Sequence, residues 1–336
     1  MKPLLSIAIP SNNRTELLDQ ALRSILAEPG FDERCEVCVS DNSRGTLTES
    51  MIGEKYASTP RFIYRRSLDA PSLDENVNQV ITLAQGEYAW VFGDDDLIVP
   101  GFLAELVDYL ERAAPDILLV NSRSFQHSGV VEVARVPQTE LGIYGPAEDN
   151  AFLADFASYL TYVPCLVIRR SLWLEHFRPS KVGTFFAHID AVYRAKHGHS
   201  AHFLPQPGIA MRMHFQTWAT WHFEIWNIHF PAVIWGLEGY SDEAKSAVIP
   251  RFPLRSLKRI LGSRAYGRFD LKIWRAVLLP SPNTTGTVKF LGYIIAMLPR
   301  EMFRLLYIAF IRLRRNRHSR GFSPELALAQ LGRAGK

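Results

Sequence analysis

Cysteine is scarce in this chain of 336 residues: Cys35, Cys38 and Cys165 cannot make a disulfide framework. Cys35 and Cys38 have the spacing of a redox pair, but they lie in an apolar run, ERCEVCVS, that reads as a strand. No second Cys pair completes a zinc site, so small core residues are the simpler reading. The N-terminus, MKPLLSIAIPSNNR, has no long apolar stretch and no cleavage site. The expected compartment is therefore reducing and cytoplasmic. No G-x-G-x-x-G follows the first apolar run, and no G-x-x-x-x-G-K-[ST] occurs anywhere. The two commonest glycine-rich phosphate loops are thus excluded, and any phosphate must be held by other means. No apolar run reaches the ~20 residues of a spanning helix. Acidic residues are nearly missing from 251–320, where sixteen Lys or Arg face only Asp270 and Glu301. That window is +14 and the whole chain only +4, so the rest sums to −10. A basic C-terminal third points to an anionic partner, a membrane surface or a nucleic acid.

What is present is a globular composition, 47% hydrophobic and 21% charged, with enough apolar residues for a large core. The most informative stretch is GEYAWVFGDDDLIVP, Gly86 to Pro100. Tyr88 to Phe92 are apolar or aromatic strand formers and predict a buried strand. The strand stops at Gly93 and delivers Asp94, Asp95 and Asp96 together. Three adjacent carboxylates repel one another and call for a cation. A hard divalent ion with oxygen ligands, Mn²⁺ or Mg²⁺, suits them and keeps positions open for substrate phosphates. The plainer alternative is a solvated acidic loop, which a buried strand leading into the cluster disfavours.

The same organisation recurs along the first 120 residues. Leu4–Ile9 predicts a strand ended by Pro10, with turn formers at Ser11 to Thr15 and then apolar residues from Leu17 to Leu26 at helical spacing. Glu36–Ser40 predicts a second strand running into Asp41-Asn42-Ser43. Arg61–Arg65 predicts a third, followed by a helix from Ser72 to Leu83. After the aspartates come a helix over Gly101–Arg112 and a strand over Asp116–Asn121. Strands alternating with helices predict an α/β fold, a mostly parallel sheet with helices on both faces. Ligands of such sheets bind at the carboxyl ends of the strands. Three polar clusters fall there, at 10–14, 41–43 and 94–96, and together they predict one site.

SIAIPSNNR at 6–14, VSDNS at 39–43, NQVITLAQGEY at 78–88 and the aspartates at 94–96 resemble the family 2 glycosyltransferases. Within that family they resemble bacterial transferases of the abequosyl and rhamnosyl kind. The resemblance implies the GT-A fold, a nucleotide-diphosphate-sugar donor, a divalent metal and inversion at the anomeric carbon. It implies donor-binding roles for Pro10, Ser11, Asn12, Arg14, Asp41, Asn78 and Asp94, with Asp95 and Asp96 on the metal. Asn12 replaces the Tyr usual in the first loop, which removes a stacking ring. Gly93 before three aspartates departs from the usual Asp-x-Asp, so two registers remain open for the ion. These strand-end carboxylates are expected to contribute little packing.

In the second half, FFAHIDAVYRAKHG at 185–198 matches the family's acidic pair with a following Arg and Gly. The resemblance implies that Asp190 is the catalytic base, with His188 where an acid often stands; a helix-capping Asp is the alternative. It also implies His214, in MRMHFQTWATW, as a ligand of the metal or diphosphate, although six of the ten histidines lie between 188 and 222. Trp218, Trp221 and Trp226 stand as sugar-stacking candidates or core residues. Lys289 to Arg317 carries two apolar runs beside clustered Arg, the pattern of a helix lying in a membrane interface. A packing or oligomer helix is the alternative. The expected organisation is a catalytic domain over 1–230, divided at 120 into donor and acceptor halves. A helical basic region, 231–320, and a tail, 321–336, follow. The expected activity is inverting sugar transfer to a glycan or polyprenyl-diphosphate-linked acceptor in O-antigen or capsule synthesis. The enzyme is expected to sit peripherally on the inner face of the plasma membrane, with no nucleic-acid partner. A nucleotidyltransferase would normally show a glycine-rich N-terminal loop, which is missing. A non-catalytic membrane- or nucleic-acid-binding protein would not need Asp41, Asp94 to Asp96 and Asp190.

Overall fold

The computed structural model describes residues 2–125, 131–212 and 221–314. These form two compact units, one drawn from Met1–Phe215 with Gly236–Val248, the other from Gln216–Trp235 with Ile249–Lys336. His214, Trp218 and the tail at 321–336 lie outside the described residues.

The first unit is a ten-stranded sheet flanked by helices. Its first half is β1 (Leu5–Ser11), α1 (Thr15–Leu26), β2 (Cys35–Asp41), α2 (Leu47–Lys55), β3 (Phe62–Arg66), α3 (Leu73–Leu83) and β4 (Tyr88–Val91). The spatial order β3-β2-β1-β4 is parallel throughout. This doubly wound order brings the carboxyl ends of β1, β2 and β4 to one edge. β4 is buried along its length, and Trp90 Nε1 donates to the Pro164 carbonyl at 3.0 Å. Ser72 and Glu75 form a capping box that starts α3. No amphipathic pattern marks α2, whose LTESMIGEK has no regular apolar face.

The chain continues through β5 (Leu97–Ile98), α4 (Phe102–Ala113), β6 (Ile117–Phe125), β7 (Val131–Ala134), β8 (Gly142–Tyr144) and α5 (Asp149–Leu160). Then come β9 (Leu166–Arg169), α6 (Arg170–His176), α7 (Ala187–Lys196) and β10 (Ala201–Arg212). Here the expectation of a mostly parallel sheet needs correction. β10 runs parallel to β6, but β9 lies antiparallel between β4 and β6, and β5, β7 and β8 are antiparallel additions. A short, fully apolar strand such as Leu166–Ile168 carries no signal of direction.

A single boundary at residue 230 does not describe the division into units, because Gly236–Val248 returns to the first. Tyr240 Oη donates to the Tyr193 carbonyl at 2.6 Å and His197 contacts the Glu238 carbonyl at 3.0 Å, so this return is anchored on α7. The second unit is helical. Its core joins Ile260 and Ala265 of the helix Leu257–Ala265, Val288 and Ile295 of Gly286–Met297, and Phe303 and Ile311 of Arg300–Arg314. No helix among the described residues is long and apolar enough to cross a membrane.

Candidate active site

The three strand ends are tied to one another. After β1, Asn13 takes a positive φ of 53°, which asparagine tolerates better than most residues. Its N–H then reaches the Ser43 hydroxyl at 2.7 Å, while Asn12 Nδ2 donates to Asn42 Oδ1 at 2.6 Å. So the loop after β1 is stitched to the loop after β2. Ser11 Oγ donates to Asp94 Oδ2 at 3.0 Å, and the Asn12 N–H approaches the same oxygen at 3.4 Å. Arg14 Nη1 donates to Asp94 Oδ1 at 2.8 Å and to Asp95 Oδ2 at 2.9 Å. Thus Pro10 to Arg14 and the aspartates form one cluster.

Asp41, fully buried, accepts the Ser43 N–H at 2.9 Å and the Tyr64 hydroxyl at 3.0 Å. Tyr64 escaped the sequence reading, since an aromatic in a strand is ordinarily packing. Asn76 escaped it too. Its Nδ2 donates to the Ser11 carbonyl at 3.1 Å and its Oδ1 accepts from Ser40 Oγ at 2.6 Å, bracing β1 against β2. Asn78 does not join the cluster. Two residues on is about 200° around a helix, and Asn78 Oδ1 instead accepts from Trp173 Nε1 at 3.0 Å.

The three aspartates sit in three environments. Asp96 is buried and accepts from the Tyr162 hydroxyl and from the Arg212 N–H at 3.0 Å. It therefore takes part in packing, contrary to the expectation for a strand-end carboxylate. Burial pushes its pKa up to about 7, reinforced by the charge of Asp95. Burial likewise raises Asp94 to about 6, although Arg14 opposes the shift. Asp95 is also raised, by burial again, with the Arg14 charge opposing. Its side chain is the most exposed of the three, and its carbonyl accepts from Arg212 Nε at 3.0 Å. A Cβ at Gly93 would stand 2.5 Å from Asp96 Oδ2, so any other residue there would displace the Asp96 carboxylate.

Asp190 lies in the first turn of α7 and is 2% exposed. Its Oδ2 is buried and accepts no hydrogen bond among the described residues, while Lys181 Nζ stands 3.8 Å from Oδ1. The helix is placed by a residue that no motif signalled, Asp74. That carboxylate accepts the N–H groups of Gly183, Phe185 and Ala187 at 2.9, 3.0 and 3.2 Å. The end of α5 links the two halves. The Leu160 carbonyl contacts His188 Nε2 at 3.0 Å, and Tyr162, two residues on, holds Asp96. Burial lowers the His188 pKa to about 4, so it is neutral and structural at physiological pH.

The donor set at 94–96 is all oxygen and fits a hard divalent ion. Among the described residues no three His, Cys, Asp or Glu side chains are arranged to hold a metal. Such an ion would take one or two carboxylates and complete its shell from diphosphate and water. The aromatic candidates divide: Trp221 is exposed, whereas Trp226 packs edge-on to Phe230 at 5.4 Å.

Known proteins resemble this chain in sequence and in fold. The profile of glycosyl transferase family 2 matches residues 6–172. The chain is 30% identical over 199 residues to the abequosyltransferase RfbV of Salmonella typhimurium, covering 55% of this chain and 59% of that one. It is 30% identical over 108 residues to a Campylobacter jejuni GalNAc(5)-diNAcBac-PP-undecaprenol beta-1,3-glucosyltransferase, covering 31% and 34%. The chain thus spans about three fifths of the first relative and a third of the second. The fold resembles that of S. aureus TarS 1-349 in complex with UDP, with a TM-score of 0.56, 16% identity and coverage of 93% and 92%. It also resembles the mannosyltransferase PcManGT of Pyrobaculum calidifontis in complex with GDP-Man and Mn2+, with a TM-score of 0.56, 15% identity and coverage of 100% and 86%. The fold is GT-A, and residues 6–172 carry a glycosyl transferase family 2 domain.

Proposed function

We propose that this protein transfers a sugar, with inversion, from a nucleotide-diphosphate-sugar to a saccharide carried on polyprenyl diphosphate, in surface-polysaccharide assembly. The observation that carries the reading is Asp190 Oδ2, buried and without a hydrogen-bond partner among the described residues. Its helix is joined through Leu160 and Tyr162 to the aspartates that would face the donor. A buried carboxylate oxygen left without a donor is costly unless something else engages it. A hydroxyl of the acceptor is such a donor.

In this reading Asp41 and Tyr64, with Ser11 and Asn12, hold the nucleoside, and Asp94 lies near the ribose. Asp95 and Asp96 would hold Mn²⁺ or Mg²⁺, which supplies neutralisation of the leaving diphosphate when bound. Asp190 takes the proton of the attacking hydroxyl, with Lys181 Nζ 3.8 Å from its other oxygen. The new bond forms at the anomeric carbon on the face opposite the departing diphosphate, which inverts that centre. The names of relatives support the substrate classes. TarS has been captured with UDP-GlcNAc, PcManGT with GDP-Man and Mn2+, and the Campylobacter relative is named for an acceptor on PP-undecaprenol.

A lipid-linked acceptor fits the second unit. The helices Gly286–Met297 and Arg300–Arg314 bury one face in the helical core. They also expose a second apolar face, with Phe290 and Leu306 64% and 62% exposed. Met297, Leu298, Met302, Leu305 and Phe310 extend that face. Such a patch beside a basic window suits the interface of an anionic membrane. The direct test is a thermal-shift screen of UDP-, dTDP-, GDP- and CDP-sugars with and without Mn²⁺. One donor class should stabilise the protein, more so with the ion. If no nucleotide sugar shifts the melting temperature under either condition, the donor reading fails.

A further inference from the structure

The aspartate cluster carries a cation of its own. Arg14 Nη1 stands 2.8 Å from Asp94 Oδ1 and 2.9 Å from Asp95 Oδ2. A terminal guanidinium nitrogen has two hydrogens, so this one nitrogen supplies one to each carboxylate. It therefore ties Asp95, one of the two carboxylates that would hold the ion, to Asp94. The side chain is only 20% exposed, and burial alone would disfavour its charge. Asp94, Asp95 and Asp96 override that cost and hold the guanidinium above its usual pKa. Asp96, by contrast, is engaged by Tyr162 and the Arg212 N–H, not by Arg14.

We infer that Arg14 is a resident counter-cation that competes with the divalent ion for Asp95, which it ties to Asp94. The inference rests on the metal-dependent reading of this site. A divalent ion placed on either carboxylate would lie within a few ångströms of the guanidinium, where like charges in a buried setting repel strongly. The ion and Arg14 cannot both hold Asp95. In the protein without nucleotide the carboxylates are already neutralised, so the ion gains little there and binds weakly. A donor diphosphate supplies Arg14 with another anionic partner and releases the carboxylates. Metal and nucleotide then favour one another by linkage, and Arg14 is what couples them. It is a positioning residue for the ion as much as for the donor.

Mn²⁺ binding followed by calorimetry and by the electron paramagnetic resonance of free Mn²⁺ tests this without any turnover. The full chain, free of nucleotide, is compared with Arg14→Gln and Arg14→Lys. Removal of the charge in Arg14→Gln should tighten Mn²⁺ binding on the order of tenfold or more, with Arg14→Lys closer to wild type. Adding UDP, dTDP, GDP or CDP should tighten Mn²⁺ binding to wild type and change the Gln variant less. If Arg14→Gln is poorly stable without metal, its melting temperature should rise more on Mn²⁺ addition than that of wild type. Should wild type bind Mn²⁺ with a nucleotide present while Arg14→Gln alone is no tighter than wild type alone, the inference fails and the metal reading stands. Should neither protein bind Mn²⁺ with any nucleotide, both fail.

Discussion

The Asp74 carboxylate accepts the backbone N–H of Phe185 at 3.0 Å, across 111 positions of sequence. Phe185 has a φ of 66°, a left-handed conformation that a bulky residue avoids unless its surroundings impose it. Two more N–H groups of the same turn, Gly183 and Ala187, end on this carboxylate. One acid of the donor half thus sets the turn from which the helix of Asp190 departs. Asp74→Ala would strand three donors in a buried setting, at about 1–3 kcal/mol each. Denaturant melts should show a loss of several kcal/mol, with transfer lost alongside. Unchanged stability in the Ala variant would mean that the turn is held by something else.

Asp190→Asn keeps the shape and removes the proposed base. Transfer should slow by about 10²–10⁴-fold, while donor affinity changes little because the proton comes from the acceptor. Measuring kcat beside donor binding separates the two. Full turnover in the Asn variant would place the base on another residue.

The aspartates should also differ in what they cost the fold. Asp95 is the most exposed of them, and its loss should be close to neutral for stability. Asp96→Ala leaves the Tyr162 hydroxyl and the Arg212 N–H without their acceptor, at roughly 1–3 kcal/mol per stranded group. Both variants should lose transfer. Thermal melts that rank Asp95→Ala as the more damaging would contradict the burial seen here.

Above about pH 6.5, stability without metal should fall as pH rises. Asp94 and Asp96 have pKa values of about 6 and about 7 against an ordinary 3.8. From about pH 4 to pH 7 the folded protein keeps protons that the unfolded chain has lost. Stability is then fullest below the ordinary value and is lost as pH climbs through the raised ones. Below about pH 6.5 His188, with its pKa lowered to about 4, pulls the other way, because there the unfolded chain holds the extra proton. Melts in chelator from about pH 6.5 to pH 8 should therefore show the decline, and Mn²⁺ should blunt it. A flat or rising profile over that window would argue that these carboxylates are already ionised.

Replacing Phe290, Met297, Leu305 and Leu306 with Ser should leave the melting temperature nearly unchanged, since all four are exposed. The loss should appear in vesicle co-sedimentation, where each buried apolar side chain contributes about 1.5–3 kcal/mol. Binding of wild type to anionic vesicles should weaken with salt. Equal partitioning of both proteins would make the face a contact between protein chains.

Much of this was legible in the residues themselves. The apolar run Tyr88 to Phe92 ending in Gly93 and three aspartates specified a buried strand and its carboxylates. Ser72 marked a helix start, and the basic window with its apolar helices stood out by composition. These are local signals, written in periodicity and adjacency. Tertiary structure decided what depends on distant partners. It chose Asn76 over Asn78 as the brace of the strand ends, because only one helix face meets the sheet. It gave Arg14 to Asp94 and Asp95, 80 and 81 positions away. It set Asp74 beneath the turn before Asp190 and ran β9 against its neighbours. No spacing rule reaches that far, because hydrogen bonds and ion pairs at such separations exist only once the chain has closed on itself.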